Sequence, residues 1–233
     1  MTSLLGVRSV YWRAVLTVLL LVILSVYYVF VATAGTWVTE TWSTEFYDLA
    51  AEGFRLGHLY IPKEPDPRLL AVPNPFEQIH RPLWFWDAVL FDRRYYIYWG
   101  PVPALFLLGF KVITQHVGVI ADQWPTLAFM LGRLYAGAAL ILSLAKTMRV
   151  RPPYWAVALA IVVYGLASPT PLVIARPQEY EASIAAGQCF LFWGLVAAFW
   201  GLIQRRAQTL LFVAAGALWA LGIGSRVTLI AVV

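Results

Sequence analysis

The feature that most constrains this chain is an unbroken run from Ala14 to Ala34 without a single charged side chain. About 20 apolar residues suffice to cross the hydrocarbon core of a bilayer as a helix. Similar runs recur along the chain, and one of them is short unless Ser168 to Ile174 continue it. The later runs cover Leu127–Ala145, Tyr154–Ala167 (the short one), Ile184–Ile203 and Leu210 to near Gly224. The pattern predicts an all-α polytopic membrane protein with about five transmembrane helices.

Composition favours the bilayer as solvent, because 61% of the residues are hydrophobic and only 12% are charged. Soluble domains carry about 25% charged residues. The end of the first run, Ala32-Thr33-Ala34, is similar to a signal-peptidase site, so a cleaved leader is the alternative to an anchor. The run exceeds the roughly 7–15 apolar residues of a signal peptide, which favours an uncleaved anchor.

Charge indicates how the chain is oriented. If the interrupted apolar segment Pro101–Ile120 does not cross, the segments 1–13, 146–153 and 204–209 share one side and carry no acidic residue. Their basic residues then follow the positive-inside tendency of cytoplasmic segments. All twelve acidic residues face outward. We therefore expect a cytoplasmic amino terminus and a juxtamembrane, non-crossing Pro101–Ile120.

This arrangement divides the chain into three parts. Residues 1–34 form the amino terminus and anchor, residues 35–124 a large extracytoplasmic loop with juxtamembrane helices, and residues 125–233 a helix bundle. The last residues, Val227 to Val233, are still apolar, which predicts that the bundle is incomplete.

Several classes of site lack support in the sequence. The basic residues form no continuous stripe, which argues against nucleic-acid binding. The single Cys189 excludes an internal disulfide. His58 and His80 show no recognised metal-ligand spacing, so we expect no cofactor, and a divalent metal is a minor alternative.

An acidic amphipathic helix is predicted early in the outer loop, from a Thr44 cap to about His58. At ~100° per residue, Glu45, Asp48 and Glu52 fall on one face, which we expect to border an aqueous cavity. Glu52 has Arg55 as an i+3 partner. Glu45 and Asp48 are the candidate general bases, and their spacing does not decide between them.

The second half of the loop is aromatic. Asp92-Arg93 is a predicted turn of a small hairpin, preceded by Asp87 and followed by Tyr95 and Tyr98. These aromatic residues suit an interfacial belt. They equally suit stacking on a sugar ring or packing on a prenyl chain, and the four named side chains are candidate substrate ligands.

The order of motifs resembles the amino-terminal half of bacterial C-type-fold (GT-C) glycosyltransferases, a class that includes protein O-mannosyltransferases and the aminoarabinose transferase of lipid A. One anchor precedes Glu45-Phe-Tyr-Asp-Leu-Ala and Gly57-His-Leu-Tyr. Then come Asp92-Arg-Arg-Tyr-Tyr-Ile-Tyr-Trp-Gly-Pro-Val-Pro-Ala-Leu, Arg133-Leu and Ser168-Pro.

The resemblance implies a glycosyltransferase at the outer face of the bacterial inner membrane. It would move a sugar from a polyprenyl-phosphate donor, with Glu45 or Asp48 assisting attack by the acceptor hydroxyl. The acidic pair typical of many relatives is not reproduced before Tyr47, so the choice of base stays open.

A phosphate leaving group needs cationic donors, for which arginine has a suitable planar fork. Arg133, Arg176 and Arg226 fall at or near external ends of predicted spans and are candidate substrate ligands. Snorkelling or pairing is the alternative for Arg133, and an ion pair with Glu179 or Glu181 is the alternative for Arg176.

Two other functions remain open. A transporter or lipid flippase would place polar groups deep in several spans and show internal repeats. A non-catalytic membrane subunit or remnant would need neither. The sequence indicates lipid and lipid-linked sugar as partners and does not indicate an oligomeric state.

Overall fold

The structure is a computed structural model that describes residues 2–38 and 44–231. Helices dominate it, and four of those described are long and apolar enough to cross a membrane. The candidate spans are Tyr11–Ala32, Gln123–Thr147, Glu179–Ile203 and Arg205–Ser225. They belong to α1 (Thr2–Ala32), α5 (Gln123–Thr147), α8 (Glu179–Ile203) and α9 (Gln208–Ser225). The all-α polytopic membrane architecture is thereby confirmed.

The predicted span around Tyr154 is a pair of short helices instead of one long one. α6 covers Tyr154–Leu166 and α7 covers Thr170–Ala175, with a break at Ser168-Pro169. At about 1.5 Å per residue, the 13 residues of α6 extend ~20 Å, short of a ~30 Å hydrocarbon core. Both helices are therefore needed to cover the distance.

Contacts along the bundle give the helix directions. Ser143 on α5 accepts a hydrogen bond from the Trp200 indole on α8 at 2.9 Å, and Gly132 on α5 faces Cys189 on α8. α5 and α8 therefore run parallel. The chain between them has to return, and α6 with α7 makes that return.

Helix α6 runs parallel to the anchor α1. The hydroxyls of Thr17 and Tyr154 lie 3.2 Å apart near one end, and the Tyr28 hydroxyl donates to the Gly165 carbonyl at 2.9 Å near the other. Tyr28 is fully buried and belongs to the bundle core with Met130 and Leu134. These contacts attach the short helix to the longest one.

The segment between α1 and α5, which the sequence predicts to be extracytoplasmic and which we call the outer loop, carries the remaining elements and a second core. They are α2 (Phe46–Arg55), α3 (Pro67–Leu70), a 3-10 helix (Gln78–Leu83), β1 (Val89–Phe91), β2 (Arg94–Tyr96) and α4 (Val102–Thr114). Short 3-10 helices, Arg205–Ala207 and Val227–Ala231, flank α9. Buried residues of α2, β2 and α4, including Tyr47, Tyr95 and Leu107, form the second core.

The predicted hairpin is confirmed. β1 and β2 pair antiparallel with Phe91 opposite Arg94, so Asp92 and Arg93 make the two-residue turn. Their φ angles are 45° and 60°, as a type I′ turn requires. The Ile61 amide donates to the Tyr95 carbonyl at 2.9 Å and attaches the hairpin to the rest of the loop.

The predicted acidic helix exists, but its limits and its cap were wrong. It begins at Phe46 and ends at Arg55, and Gly57 with φ 77° stops it before His58. Thr44 does not cap it. Instead the Asp122 carboxylate, 75 residues further on, accepts from the amides of Phe46 (3.0 Å) and Tyr47 (3.1 Å).

The segment Pro101–Ile120 contains α4, which packs on α2 in the outer loop. Its 13 residues reach ~20 Å, too short for a span. The helix ends at Thr114, and Gln115 after it adopts a left-handed conformation with φ 54°. The orientation of the chain across the membrane stays a prediction.

Candidate functional site

The outer loop encloses a cavity of about 250 Å³ with aromatic walls. Trp84, Phe85 and Trp86 lie along it, and the Trp84 indole donates to the Pro75 carbonyl at 2.8 Å. Three of the predicted substrate ligands also line it, namely Asp87, Tyr95 and Tyr98. The structure therefore brings most of the predicted aromatic site together.

Asp87 is the polar centre of the cavity wall. Its φ of 57° is a left-handed conformation that aspartate adopts more readily than most residues. The Tyr98 hydroxyl donates to Asp87 Oδ1 at 3.3 Å. The half-buried carboxylate is thus held at the cavity by its backbone and by a phenol.

A second carboxyl group, which the sequence analysis did not select, stands behind Asp87. Glu179 begins α8, is 2% exposed and lies against both the Asp87 carboxyl and the Thr44 hydroxyl. Its Oε2 atom is buried without a hydrogen-bond partner. Glu179 precedes the predicted span Ile184–Ile203, and no local pattern indicates that Asp87 lies beside it.

Three aromatic rings continue from the cavity towards α8. The rings of Tyr98 and Trp99 lie 4.2 Å apart, and those of Trp99 and Tyr180 lie 3.9 Å apart. The hydroxyls of Tyr98 and Tyr180 are 3.4 Å apart. We refer to Tyr98, Trp99 and Tyr180 as the aromatic triplet.

Asp122 joins α2 to the bundle. It is fully buried and accepts hydrogen bonds from the Thr44 hydroxyl (2.6 Å) and from the first two amides of α2. Burial raises the pKa of the Asp122 carboxyl to about 7, against the effect of those hydrogen bonds. Burial, followed by the nearby Asp122 carboxyl, also raises the pKa of Tyr47.

Glu45, one of the two predicted bases, is exposed just before α2. Its chain neighbours contact the site on both sides. Phe46 stacks on the cavity wall residue Phe85 with ring centroids 4.8 Å apart, and Thr44 lies against Glu179. Glu45 therefore lies between two residues that contact the site, and its own exposed side chain is not part of the cavity lining.

Asp48, the other predicted base, is occupied by an ion pair. Lys111 Nζ on α4 lies 2.6 Å from Asp48 Oδ1, and both side chains are buried. The Ile120 amide donates to the same oxygen at 3.1 Å. The expectation that this face of α2 borders an aqueous cavity was wrong for Asp48, because α4 covers it.

Lys111 also reaches Glu52 Oε1 at 3.1 Å. The predicted partnership of Glu52 with Arg55 is confirmed at 2.7 Å. The hydrogen bond from Arg55 holds the pKa of Glu52 below its usual range. The sequence showed Lys111 only as an interruption of an apolar run, and its role as the partner of α2 depends on the packing of α4.

Asp92 and Arg176 lie outside the aromatic cavity. Asp92 is exposed in the hairpin turn. Arg176 is exposed at the end of α7, and the described residues show no ion pair between it and Glu179 or Glu181. The structure thus places neither with Asp87.

Arg226 lies at the end of α9 and contacts α8. Its Nη1 donates to the Ser183 hydroxyl on α8 at 3.5 Å, and its Nε donates to Thr228 at 3.2 Å. Its positive charge lowers the pKa of Tyr47 on α2, against the larger effect of burial. The loop is close here, because Gly100 meets the carbonyls of Gly224 and Ser225.

Arg133 is buried inside the bundle, in the third turn of α5. Its Nη1 donates to the hydroxyls of Thr170 and, at 3.2 Å, of Ser168, at the break between α6 and α7. Its guanidinium also lies over the rings of Tyr164 and Phe192, at 4.7 and 5.1 Å. Its Nε is buried without a partner.

A larger apolar cavity of about 520 Å³ lies between α4 and α5. Phe106 and Phe110 line one side, Trp124 and Phe129 the other, and His116 is beside them.

Within residues 2–38 and 44–231, no group of three or more His, Cys, Asp or Glu side chains is placed to hold a metal ion.

Comparison of this chain with protein-family models, with curated proteins and with solved structures gave no match.

Proposed function

We propose that this protein is a membrane glycosyltransferase that moves a sugar from a polyprenyl-phosphate donor to an acceptor hydroxyl at the outer face of a bacterial inner membrane. The observation that carries the proposal is the aromatic cavity with Asp87 in its wall. The exposed Glu45 precedes Phe46, which stacks on the wall residue Phe85. Aromatic faces and a few fixed polar groups are a common lining for sugar-sized ligands.

In the proposed reaction the Glu45 carboxylate accepts the proton of the acceptor hydroxyl. The acceptor oxygen forms a bond to the anomeric carbon, and the bond from that carbon to the phosphate oxygen breaks. The phosphate leaves with the electron pair. Asp87 and Tyr98 bind the sugar, and Tyr95 lines the same cavity from the hairpin.

Arg226 is proposed to contact the phosphate, because it reaches Ser183 on α8, one turn after Glu179, and has no carboxylate partner among the described residues. Arginine suits phosphate oxygens because its donors are planar and fixed. The apolar cavity between α4 and α5 offers room for hydrocarbon chain of the lipid carrier. Asp48 is proposed as a positioning residue that holds α2 on α4.

The test is transfer of radiolabelled sugar from a panel of polyprenyl-phosphate donors in membranes that contain the protein. Glu45→Gln should abolish transfer, and Asp87→Asn should raise KM more than it lowers kcat. Glu77→Gln is the matched control, since Glu77 is an exposed carboxylate of the same loop outside the cavity. Transfer at the wild-type rate in Glu45→Gln would show that Glu45 is not the base. Absence of transfer from every donor would refute the proposed function.

A lipid flippase or transporter is the second candidate, favoured by one observation. Arg133 is buried at a broken helix, and ionisable groups at discontinuous helices mark transport sites in many membrane proteins. Reconstituted protein that moves a fluorescent anionic lipid between leaflets, with loss in Arg133→Gln, would support this function. Movement equal to that of protein-free vesicles would exclude it for that lipid.

A further inference from the structure

The paired carboxyl groups of Asp87 and Glu179 have no cationic partner among the side chains that the structure describes. Ion pairs within residues 11–38 and 44–231 involve only the carboxylates of Asp48, Glu52 and Asp66. Two carboxylates in contact repel each other, so a pair of this kind holds a shared proton or a bound cation.

Glu179 has unused hydrogen-bonding capacity. The side chain is 2% exposed, and its Oε2 atom has no hydrogen-bond partner. Buried polar atoms in proteins nearly always have a partner, and an exception calls for an explanation. A ligand that donates hydrogen bonds is one such explanation.

The aromatic triplet lies directly beside the carboxyl pair. Tyr98 bonds to Asp87, and Tyr180 follows Glu179 in the chain. Ring faces attract organic cations, and aromatic cages with carboxylates are typical of ammonium recognition. A hard metal ion would need about six oxygen ligands. The described residues offer no cluster of three or more metal-binding side chains.

We propose that this site binds a ligand through a positively charged ammonium group, held by Asp87 and Glu179 and covered by the aromatic triplet. The inference rests on the proposed function for its setting, because the ammonium would belong to an amino sugar of the donor or to the ethanolamine headgroup of a membrane lipid. The two sources share the same recognition chemistry.

Equilibrium binding distinguishes the sources and needs no turnover. The full chain is placed in phosphatidylglycerol nanodiscs and titrated with two pairs of probes. One pair is polyprenyl-phosphate glucosamine and its N-acetylated form, and the other is phosphatidylethanolamine and its N-acetylated form. Acetylation removes the charge and changes little else.

We expect one amine probe to bind roughly 10–100-fold more tightly than its acetylated form, the range for charge-assisted hydrogen bonds. Asp87→Asn and Glu179→Gln should each reduce that ratio towards one, and Glu77→Gln should leave it unchanged. Trp99→Leu keeps both carboxylates and should lower the ratio several-fold.

Equal binding of both members of each pair by the wild type would overturn the inference, as would a preference that survives in the Asp87→Asn/Glu179→Gln double variant. Preference for the sugar amine alone identifies the donor, and preference for phosphatidylethanolamine alone identifies the lipid headgroup. If neutral sugars are transferred while no amine is preferred, this inference fails and the proposed function stands. If an amine is preferred but no sugar is transferred, this inference stands and the proposed function fails.

Discussion

The buried ion pair between α2 and α4 makes an asymmetric prediction. Lys111 lies 2.6 Å from Asp48 and 3.1 Å from Glu52, and the side chains of Lys111 and Asp48 are only 4% and 5% exposed. Replacing Lys111 by Met leaves the Asp48 carboxylate buried with the Ile120 amide as its remaining donor. Replacing Asp48 by Asn leaves Lys111 with Glu52.

The magnitude follows from which charge loses its partner. Removing one member of a buried pair costs about 3–5 kcal/mol when the other charge is left uncompensated. Lys111→Met should therefore lower the local free energy of opening of α2 and α4 by about 3–5 kcal/mol. Asp48→Asn should cost about 1–3 kcal/mol, the range for a weakened buried hydrogen bond, since the amide oxygen still accepts from Ile120.

Amide hydrogen exchange in α2 and α4, with the protein in nanodiscs, measures these free energies directly. A loss of 3 kcal/mol accelerates exchange roughly a hundredfold. Arg55→Met is the control, because its pair with Glu52 is more than half exposed on the arginine side and contributes at most about 1 kcal/mol.

The double variant Lys111→Met/Asp48→Asn should lose less free energy of opening than the two single variants lose together, because it leaves no unpaired charge. Strict additivity would refute the contact. A larger effect of Asp48→Asn than of Lys111→Met would refute the argument about the remaining partners.

Three further predictions concern other parts of the chain. Burial raises the pKa of Asp122 from 3.8 to about 7, so the folded state binds this proton more tightly than the unfolded state. Proton binding therefore stabilises the folded state fully below about pH 4, and this stabilisation is lost as the pH rises through 7. Hydrogen exchange at the Phe46 and Tyr47 amides should report that slope, and Asp122→Asn should flatten it. Gly100→Ala would push a methyl group into the carbonyls of Gly224 and Ser225 and should lower thermal stability by about 1–3 kcal/mol, whereas Gly109→Ala, which meets no atom within 4 Å, should not. Thr170→Val removes a hydroxyl from Arg133 and should destabilise the α6–α7 region by about 1–3 kcal/mol in the same exchange experiment, and an unchanged rate there would contradict the role assigned to this contact.

The parts of the fold that were predictable are those that depend on local pattern. Apolar runs identify α1, α5, α8 and α9, and the Asp92-Arg93 pair identifies the hairpin turn, because span length and turn chemistry are properties of neighbouring residues. The break between α6 and α7 was only partly visible, as a run too short to cross. Its place against Arg133 depends on packing.

The candidate site was predictable as a composition and not as a geometry. Asp87, Tyr95 and Tyr98 were selected because they share one aromatic segment, and they do line one cavity. Glu179 and Asp122 were missed because each acts on residues at least 75 positions away in the chain. Asp48 was selected because it lies on the acidic face of α2. Its environment is set by the packing of α4 on that face, which the periodicity of α2 alone cannot predict.

The length of α6 has a consequence for how the chain enters the membrane during synthesis. An apolar helix of 13 residues is a weak insertion signal compared with the roughly 20 residues of a full span. Its hydrogen bonds to Thr17 and Tyr28 are made to a helix synthesised more than a hundred residues earlier. We therefore expect α6 to insert only when α1 is already in the membrane. Loss of the Tyr28 contact should then appear first as chains whose carboxy-terminal halves are wrongly inserted.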